Sequence, residues 1–301
     1  MTTAKTHKLP VRAAISLTKS KSWRHYPIGL SFILIIPLCL LLGFGFVYPV
    51  GRLLGQSFFA PDFGLDNYRR LLETPLYLRV LGRTVIVALI VMAASLALGY
   101  PVALAMARLR RDLAGVVMAC VLLPLWTSAL VRSYAWIVIL QRRGLVNDAL
   151  LGLGVISEPL KLIYTEGAVI LAMTHVLVPF MILPIFGAIR AIPTELVQAA
   201  CNLGAGQFTV FARILLPLSL PGIFAGCLMT FILALGFYVT PALVGGPSSL
   251  LMATLIGQQT TETLDWGFAG ALSTVLLCVT LVIVVCFRKA LSNNRGISNV
   301  A

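Results

Sequence analysis

"QAACNLGAGQFTVFARILLPLSLPGI", residues 198–223, reads unlike the chain on either side of it. Its neighbours are apolar runs, whereas this stretch divides into two short amphipathic pieces joined by glycines. The first piece starts upstream, where Pro193 and Thr194 open a helix and Glu195 sits in its first turn, at the positive end of the helix dipole. Leu196, Ala199, Ala200 and Leu203 then recur at i, i+3, i+4 and i+7, which is one face of a helix. Gly204 follows where a left-handed residue ends such a helix. The second piece carries Phe208, Phe211 and Leu215 on one side, and Pro217 and Pro221 are expected to break it before the next apolar run. A small-residue face beside an aromatic face suits a groove on another protein. It equally suits a hairpin packed on its own bundle, and the residues alone leave both readings open.

Of the 301 residues, 59% are hydrophobic and only 11% charged, against roughly 25% charged in a soluble domain. A helix crossing lipid needs roughly 20 mainly apolar residues. Six segments qualify, near 28–50, 82–107, 115–139, 168–189, 222–244 and 266–287, and none contains Asp or Glu. Prolines at 37, 101, 124, 179, 184 and 241 fall inside them, where neighbouring helices can re-satisfy the carbonyls that proline frees. The first segment follows a basic stretch but is too long for a signal-peptide core and has no small-x-small site, so it reads as an uncleaved span. The six cysteines show no metal-ligand spacing and read as small hydrophobes.

The connections alternate in charge. The N-terminus, residues 108–112, residues 190–221 and the C-terminus hold fourteen basic residues against two acidic ones, Asp112 and Glu195. Residues 51–83, 140–167 and 245–265 hold eight of each. The positive-inside rule then puts both termini and the opening stretch in the cytoplasm. The expected architecture is an all-α membrane protein of six transmembrane helices. It comprises a cytoplasmic tail over 1–27, a six-span domain over 28–289 containing the loop 191–221, and a second cytoplasmic tail over 290–301. The net charge of +13 is a topology signal plus attraction to anionic membrane lipids, with no nucleic-acid partner expected. In the outer connections, 51–83 suggests one or two interfacial helices, and 140–167 a short helix followed by a glycine-punctuated turn.

The opening stretch resembles the cytoplasmic coupling motif of permease subunits of ATP-binding-cassette importers: Glu-Ala-Ala, three residues, Gly, nine residues, Ile-x-Leu-Pro. Here it stands as Gln198-Ala199-Ala200, Gly204, Ile214, Leu216 and Pro217. Each fixed position matches except the first, where a neutral amide replaces a carboxylate able to make stronger, charge-assisted bonds. Glu195, one turn earlier, is the candidate substitute. The resemblance implies the type I importer permease fold with a peripheral first span, in the bacterial inner membrane. It implies that the loop docks on an ATPase subunit present in two copies, beside a second homologous permease and a periplasmic or lipid-anchored solute-binding protein. Glu195, Gln198, Ala199, Ala200, Gly204, Phe208, Ile214, Leu216 and Pro217 are the coupling candidates. No G-x-x-x-x-G-K-[ST] loop occurs in the chain. ATP and Mg are therefore expected on the partner ATPase, with no cofactor in this chain and no enzymatic activity of its own.

Further stretches resemble the polyamine (spermidine/putrescine) branch of these permeases: "PLWTSALVRSYAWIVIL" (124–140), "GLVNDALLGLG" (144–154) and "FYVTPALVGGPSSLLMATLIGQQ" (237–259), followed by "DWGFAGALSTVLL". That resemblance implies spermidine, putrescine or a related small organic cation as cargo, another small organic solute being the alternative. Trp126, Thr127, Ser128 and Tyr134 put aromatic and hydroxyl groups in the third span, and aromatic faces attract cations. Trp136, near the span end, reads as part of an interfacial belt. Tyr238 and Thr240, with Pro241, sit at the outer end of the fifth span, where a broken helix end can offer carbonyls to a cation. Arg132, within the third span, is an awkward neighbour for a polyamine and is expected to be structural. His175 is expected to hydrogen-bond a neighbouring helix. An ion-coupled carrier would need buried carboxylates that the spans lack, and an intramembrane serine protease would need a Ser–His pair that no segment supplies.

Overall fold

The computed structural model describes residues 28–59 and 63–298. The N-terminal tail 1–27, with its basic residues, lies outside the described residues. Among the described residues the secondary structure is helical, without strands. The chain divides at Arg52/Leu53 into two units. Helix α1 (Ile28–Leu42) passes through a π turn (Gly43–Val47) into α2 (Tyr48–Phe59), within which the division falls. Apolar helix thus continues past the expected end of the first span at residue 50.

The second unit is built on α4 (Pro75–Arg108), α8 (Glu166–Arg190) and α11 (Leu216–Leu235), which pack on one another. Arg83 near the start of α4 pairs with Glu166 at the start of α8 at 3.6 Å. Their last residues, Arg108 and Arg190, line one cavity together with Leu215, which precedes α11. α4 and α8 therefore run parallel and α11 returns. In lipid, helices associate through close packing of small residues rather than through a hydrophobic drive. The α8–α11 contact follows that rule. A Cβ on Gly222 would lie 2.5 Å from the Ala188 Cβ and 2.6 Å from the Pro184 carbonyl, and one on Gly226 would lie 2.8 Å from the Met181 sulfur. Val91, Met173, Leu177, Phe231 and Ala234 fill the space between the three helices.

A long last helix, α14 (Trp266–Ser298), and shorter elements complete the unit: α3 (Asp66–Glu73), α5 (Arg111–Trp126), α6 (Ala129–Leu140), α7 (Leu145–Gly152), α9 (Thr194–Asn202), α10 (Gln207–Val210), α12 (Val239–Val244) and α13 (Met252–Thr261). α3 and α7 answer to the short helices expected in the outer connections, and Gly154, at φ +71°, forms the glycine turn. α14 continues through residues expected in the C-terminal tail.

Two expectations need correction. The third span is not a straight helix: α5 and the helical stretch Ala129–Gly152 meet at 96°. Among the described residues, five helices are long and apolar enough to cross a membrane, or six if that bent pair is one span. The bend follows from Thr127 and Ser128, both extended, just after Pro124. Pro217 and Pro221, in turn, do not break the chain before the fifth span. Helix runs unbroken over Gln207–Leu235, because Pro217 falls at the start of α11, behind a π turn (Phe211–Leu215) closed by the Leu216 N–H donating to the Phe211 carbonyl. That wider turn shifts the register just where proline has no N–H to give. The fifth span instead ends early, at Leu235, and α12 restarts after Gly236–Tyr238.

Candidate functional site

Seven of the nine coupling candidates are exposed. α9 buries none of its residues, and Leu203 and Phe208 are 89% and 81% exposed. α9 ends as the sequence suggests: Gly204 takes φ +80°, its N–H donates to the Cys201 carbonyl at 3.0 Å, and the Ala205 N–H donates to the Ala200 carbonyl at 3.0 Å. This Schellman pair satisfies two terminal carbonyls and turns the chain sharply. Glu195, Gln198 and Ala199 are exposed on α9, and Ala200 is half-buried. Ile214 is half-buried in the π turn, while Leu216 and Pro217 open α11 with exposed side chains. α10 is thus the first turn of the helix that runs to Leu235.

Beneath α9 lies a cavity of about 420 Å³ lined by Arg108, Arg190, Thr194 and Gln198, with Leu104, Ile189 and Val197 among its apolar walls. Sequence reasoning gave Gln198 a role at a partner surface. The two arginines that share its cavity carry only a topology signal in the sequence.

The pathway candidates separate into two groups. Trp126, Thr127 and Ser128 form the α5–α6 bend. The Thr127 hydroxyl donates to the Pro124 carbonyl at 2.9 Å, and Ser128 caps α6 by accepting from the Leu130 N–H at 3.3 Å. Both hydroxyls therefore serve the local backbone, while Trp126 and Tyr134 project outward, 79% and 58% exposed. Arg132 donates through Nη1 to the same Pro124 carbonyl, fastening the two arms of the bend, in keeping with its expected structural role. Trp136 donates to Nδ1 of His175 at 3.4 Å, the interhelix bond expected of that histidine. The two rings border an apolar cavity of about 440 Å³ with Cys120, Thr174 and Pro179.

Thr240 is buried and shares a 3.0 Å hydrogen bond with Ser133, tying α12 to α6. Tyr238 stands apart from it. Its ring lies against Gly257 of α13, where any Cβ would collide with the ring edge. Tyr238 faces a cavity of about 430 Å³ that also takes in Ser249, Thr254, Gln258 and Glu262. Glu262 is the C-cap of α13, its N–H donating to the Gln258 carbonyl. A carboxylate, the negative end of a helix and a phenol ring thus meet at one opening, a combination that favours a cation. Glu262 was visible in the sequence as an outer-connection acid. Only the reversal between α12 and α13 brings it to Tyr238. Among the described residues no His, Cys, Asp or Glu group could hold a metal ion.

Residues 95–291 match the family of binding-protein-dependent transport system inner membrane components. The chain is 36% identical over 254 residues to the spermidine/putrescine transport system permease protein PotB of Escherichia coli (strain K12), covering 81% of this chain and 92% of that protein. The PotB of Haemophilus influenzae is 34% identical over 269 residues, 89% of this chain and 92% of its own length. A sulfoquinovosyl glycerol transport system permease of Agrobacterium fabrum, SmoG, is 29% identical over 282 residues, covering 86% and 89%. Among solved structures, a chain of a bacterial ABC transporter involved in import of the acidic polysaccharide alginate superposes with TM-score 0.72 at 18% identity, over 89% of this chain and 96% of that one. A chain of the MetNI methionine ABC transporter gives TM-score 0.53 at 20% identity, over 74% and 95%. With its helical bundle and its exposed α9–α10 loop, this multi-pass membrane protein belongs to the binding-protein-dependent transport system inner membrane components, the permease subunits of ABC importers.

Proposed function

We propose that this permease carries polyamines, spermidine or putrescine, or a closely related small organic cation, across the bacterial inner membrane. The observation that carries the reading is the identity of about one residue in three with spermidine/putrescine permeases along nearly their whole length. The cavity bearing Glu262 and Tyr238 supports it, because it supplies the negative charge that the apolar spans lack. An ammonium at Glu262 would exchange part of its hydration for a charge-assisted hydrogen bond and an aromatic face.

In this reading α9 and α10 lie in the cytoplasm and dock on an ATPase subunit, present in two copies, which binds ATP and Mg. A second homologous permease completes the membrane pore, and a periplasmic or lipid-anchored solute-binding protein delivers the cargo to the side of α13. ATPase closure would press on Phe208 and the α9 face, and the unbroken helix from Gln207 would carry that movement to the Tyr238 end. Cysteine probes in a cysteine-free background check the orientation: a probe at 148 should react from outside intact cells and one at 207 should not. A probe at 62 has the same expectation as 148 but lies outside the described residues.

Competition of labelled putrescine uptake by amines, amino acids and sugars tests the substrate. Only amines should compete. Glu262→Gln should raise the half-saturating amine concentration about tenfold, equivalent to roughly 1.4 kcal/mol, with expression unchanged. No saturable putrescine uptake, or competition by a sugar or an amino acid as strong as by amines, would refute the polyamine reading.

A further inference from the structure

We propose that the cavity beneath α9 binds the phosphate headgroup of an anionic phospholipid, and that lipid held there supports the coupling loop. The cavity, about 420 Å³, takes Arg108 from the last residue of α4 and Arg190 from the last residue of α8. Both helices are long and apolar enough to span a membrane, so their final residues stand at headgroup level, where cationic side chains meet lipid phosphates. The Arg190 guanidinium lies 5.4 Å from the Phe186 ring centroid, which restricts its position. Two planar guanidinium forks on one opening match the paired oxygens of a phosphate.

Nothing acidic within the described residues answers these two cations. The three ion pairs found there, Arg69–Glu73, Arg70–Asp265 and Arg83–Glu166, lie on α3, the start of α4 and their neighbours. Asp112 and Glu195, nearest in sequence, do not line the cavity. The polar residues that do are Thr194 and Gln198, both neutral. Gln198 occupies the position where the coupling motif has a glutamate. A carboxylate there would put a negative charge on the cavity that both arginines line, whereas an amide leaves their charge for an outside anion. The remaining wall, Leu104, Ala107, Ile189, Ile192, Val197 and Leu215, is apolar. That composition favours an amphiphile over free phosphate.

The test uses the complex purified with its native partner subunits. Native mass spectrometry after incubation with phosphatidylglycerol or phosphatidylcholine reads binding directly and does not depend on the coupling reading. Transport in phosphatidylcholine vesicles, with and without equimolar phosphatidylglycerol, reads the consequence. Phosphatidylglycerol should stay bound and raise transport several-fold. Arg108→Gln with Arg190→Gln should abolish both effects while transport in pure phosphatidylcholine stays the same. Arg108→Lys with Arg190→Lys, which keeps charge and loses the fork, should retain only part of them. Arg110→Gln with Arg111→Gln removes equal charge at the same level and should leave both effects intact. Gln198→Glu should make transport indifferent to phosphatidylglycerol by supplying the anion internally. Equal losses in the two double-glutamine variants would overturn the proposal, since they would mean a diffuse surface charge. So would full stimulation by inorganic phosphate in phosphatidylcholine vesicles, or phosphatidylglycerol without effect on either readout.

Discussion

The two ends of the bundle are finished differently. At the end carrying α3, α7 and α13, several polar groups find partners within the chain around the Glu262 opening. Arg70 pairs with Asp265 at 3.0 Å and lies over the Phe268 ring, while Arg83 donates to the Ser248 carbonyl and pairs with Glu166. Asn147 is fully buried and holds the loop after α7 by bonding Gln141 and both backbone groups of Leu160. Thr84 accepts from the Met252 N–H at 2.9 Å, fixing α13 to α4. At the other end α9 buries nothing, two large apolar side chains point outward, and Arg108 and Arg190 face a cavity with no acid on its wall. A buried network of satisfied polar groups rigidifies, whereas an exposed apolar surface with uncompensated charge marks a place where something else binds. One end is braced by its own residues around the Glu262 opening, and the other is the end that the proposed function gives to the ATPase.

The sharpest way to break this comparison is Gly204→Asp. Nothing lies within 4 Å of a Cβ at Gly204, so its cost comes from φ +80° and from a carboxylate placed on the exposed turn between α9 and α10. Strain of roughly 1 kcal/mol plus the charge should weaken co-purification of the ATPase and lower transport about tenfold or more, the equivalent of roughly 1.4 kcal/mol. Membrane insertion should persist, because it depends on apolar length. Normal transport at normal expression would mean that the exposed end is not a docking surface.

Much of that end was legible in the sequence. The i, i+3, i+4, i+7 pattern of Leu196–Leu203 and a glycine at its end define α9 and its Schellman turn, since both are local. The bend at Trp126–Ser128 and the continuity through Pro217 were not, for one reason. A proline in an apolar helix removes one donor, and whether the helix bends, widens into a π turn or stops depends on which neighbours take up the freed carbonyl. At Pro124 the helix stops at the extended Thr127 and Ser128, with Arg132 on the Pro124 carbonyl; before Pro217 it widens over Phe211–Leu215. The meeting of Tyr238 with Glu262 was hidden because it depends on a chain reversal between α12 and α13.

Arg132 joins the two halves of the comparison, because it secures the bend between the start of α5 and the satisfied end. Arg132→Ala frees the Pro124 carbonyl from a charged donor, a loss of about 1.5–3 kcal/mol for such a bond. Lower thermal stability in detergent is expected, and spin labels at 116 and 150 should show a broader distance distribution. Arg132→Lys should recover part of both. An unchanged distribution in Arg132→Ala would assign the bend to Thr127 and Ser128 alone.

The smallest expected effect sharpens the account of the braced end. Asp265 has two duties: one carboxylate oxygen accepts from Arg70, and the other accepts from the Phe268 N–H at 3.0 Å, capping α14. The ion pair is half exposed, at 50% and 35% for its two side chains, so solvent screening holds it to roughly 0–1 kcal/mol. The cap is worth about 1 kcal/mol. Asp265→Ala should therefore destabilise the protein by about 1–2 kcal/mol, and Asp265→Asn, which keeps the capping oxygen and loses the charge, by less. Arg70→Ala should cost more than the ion pair alone, because it also uncovers Phe268, 4.3 Å from the guanidinium. A double-mutant cycle of Arg70→Ala with Asp265→Asn, read by thermal unfolding, isolates the pair. A coupling near zero leaves the cap and the ring contact as what braces this end, and a coupling well above 1 kcal/mol would mean that the pair is shielded from water by whatever docks there.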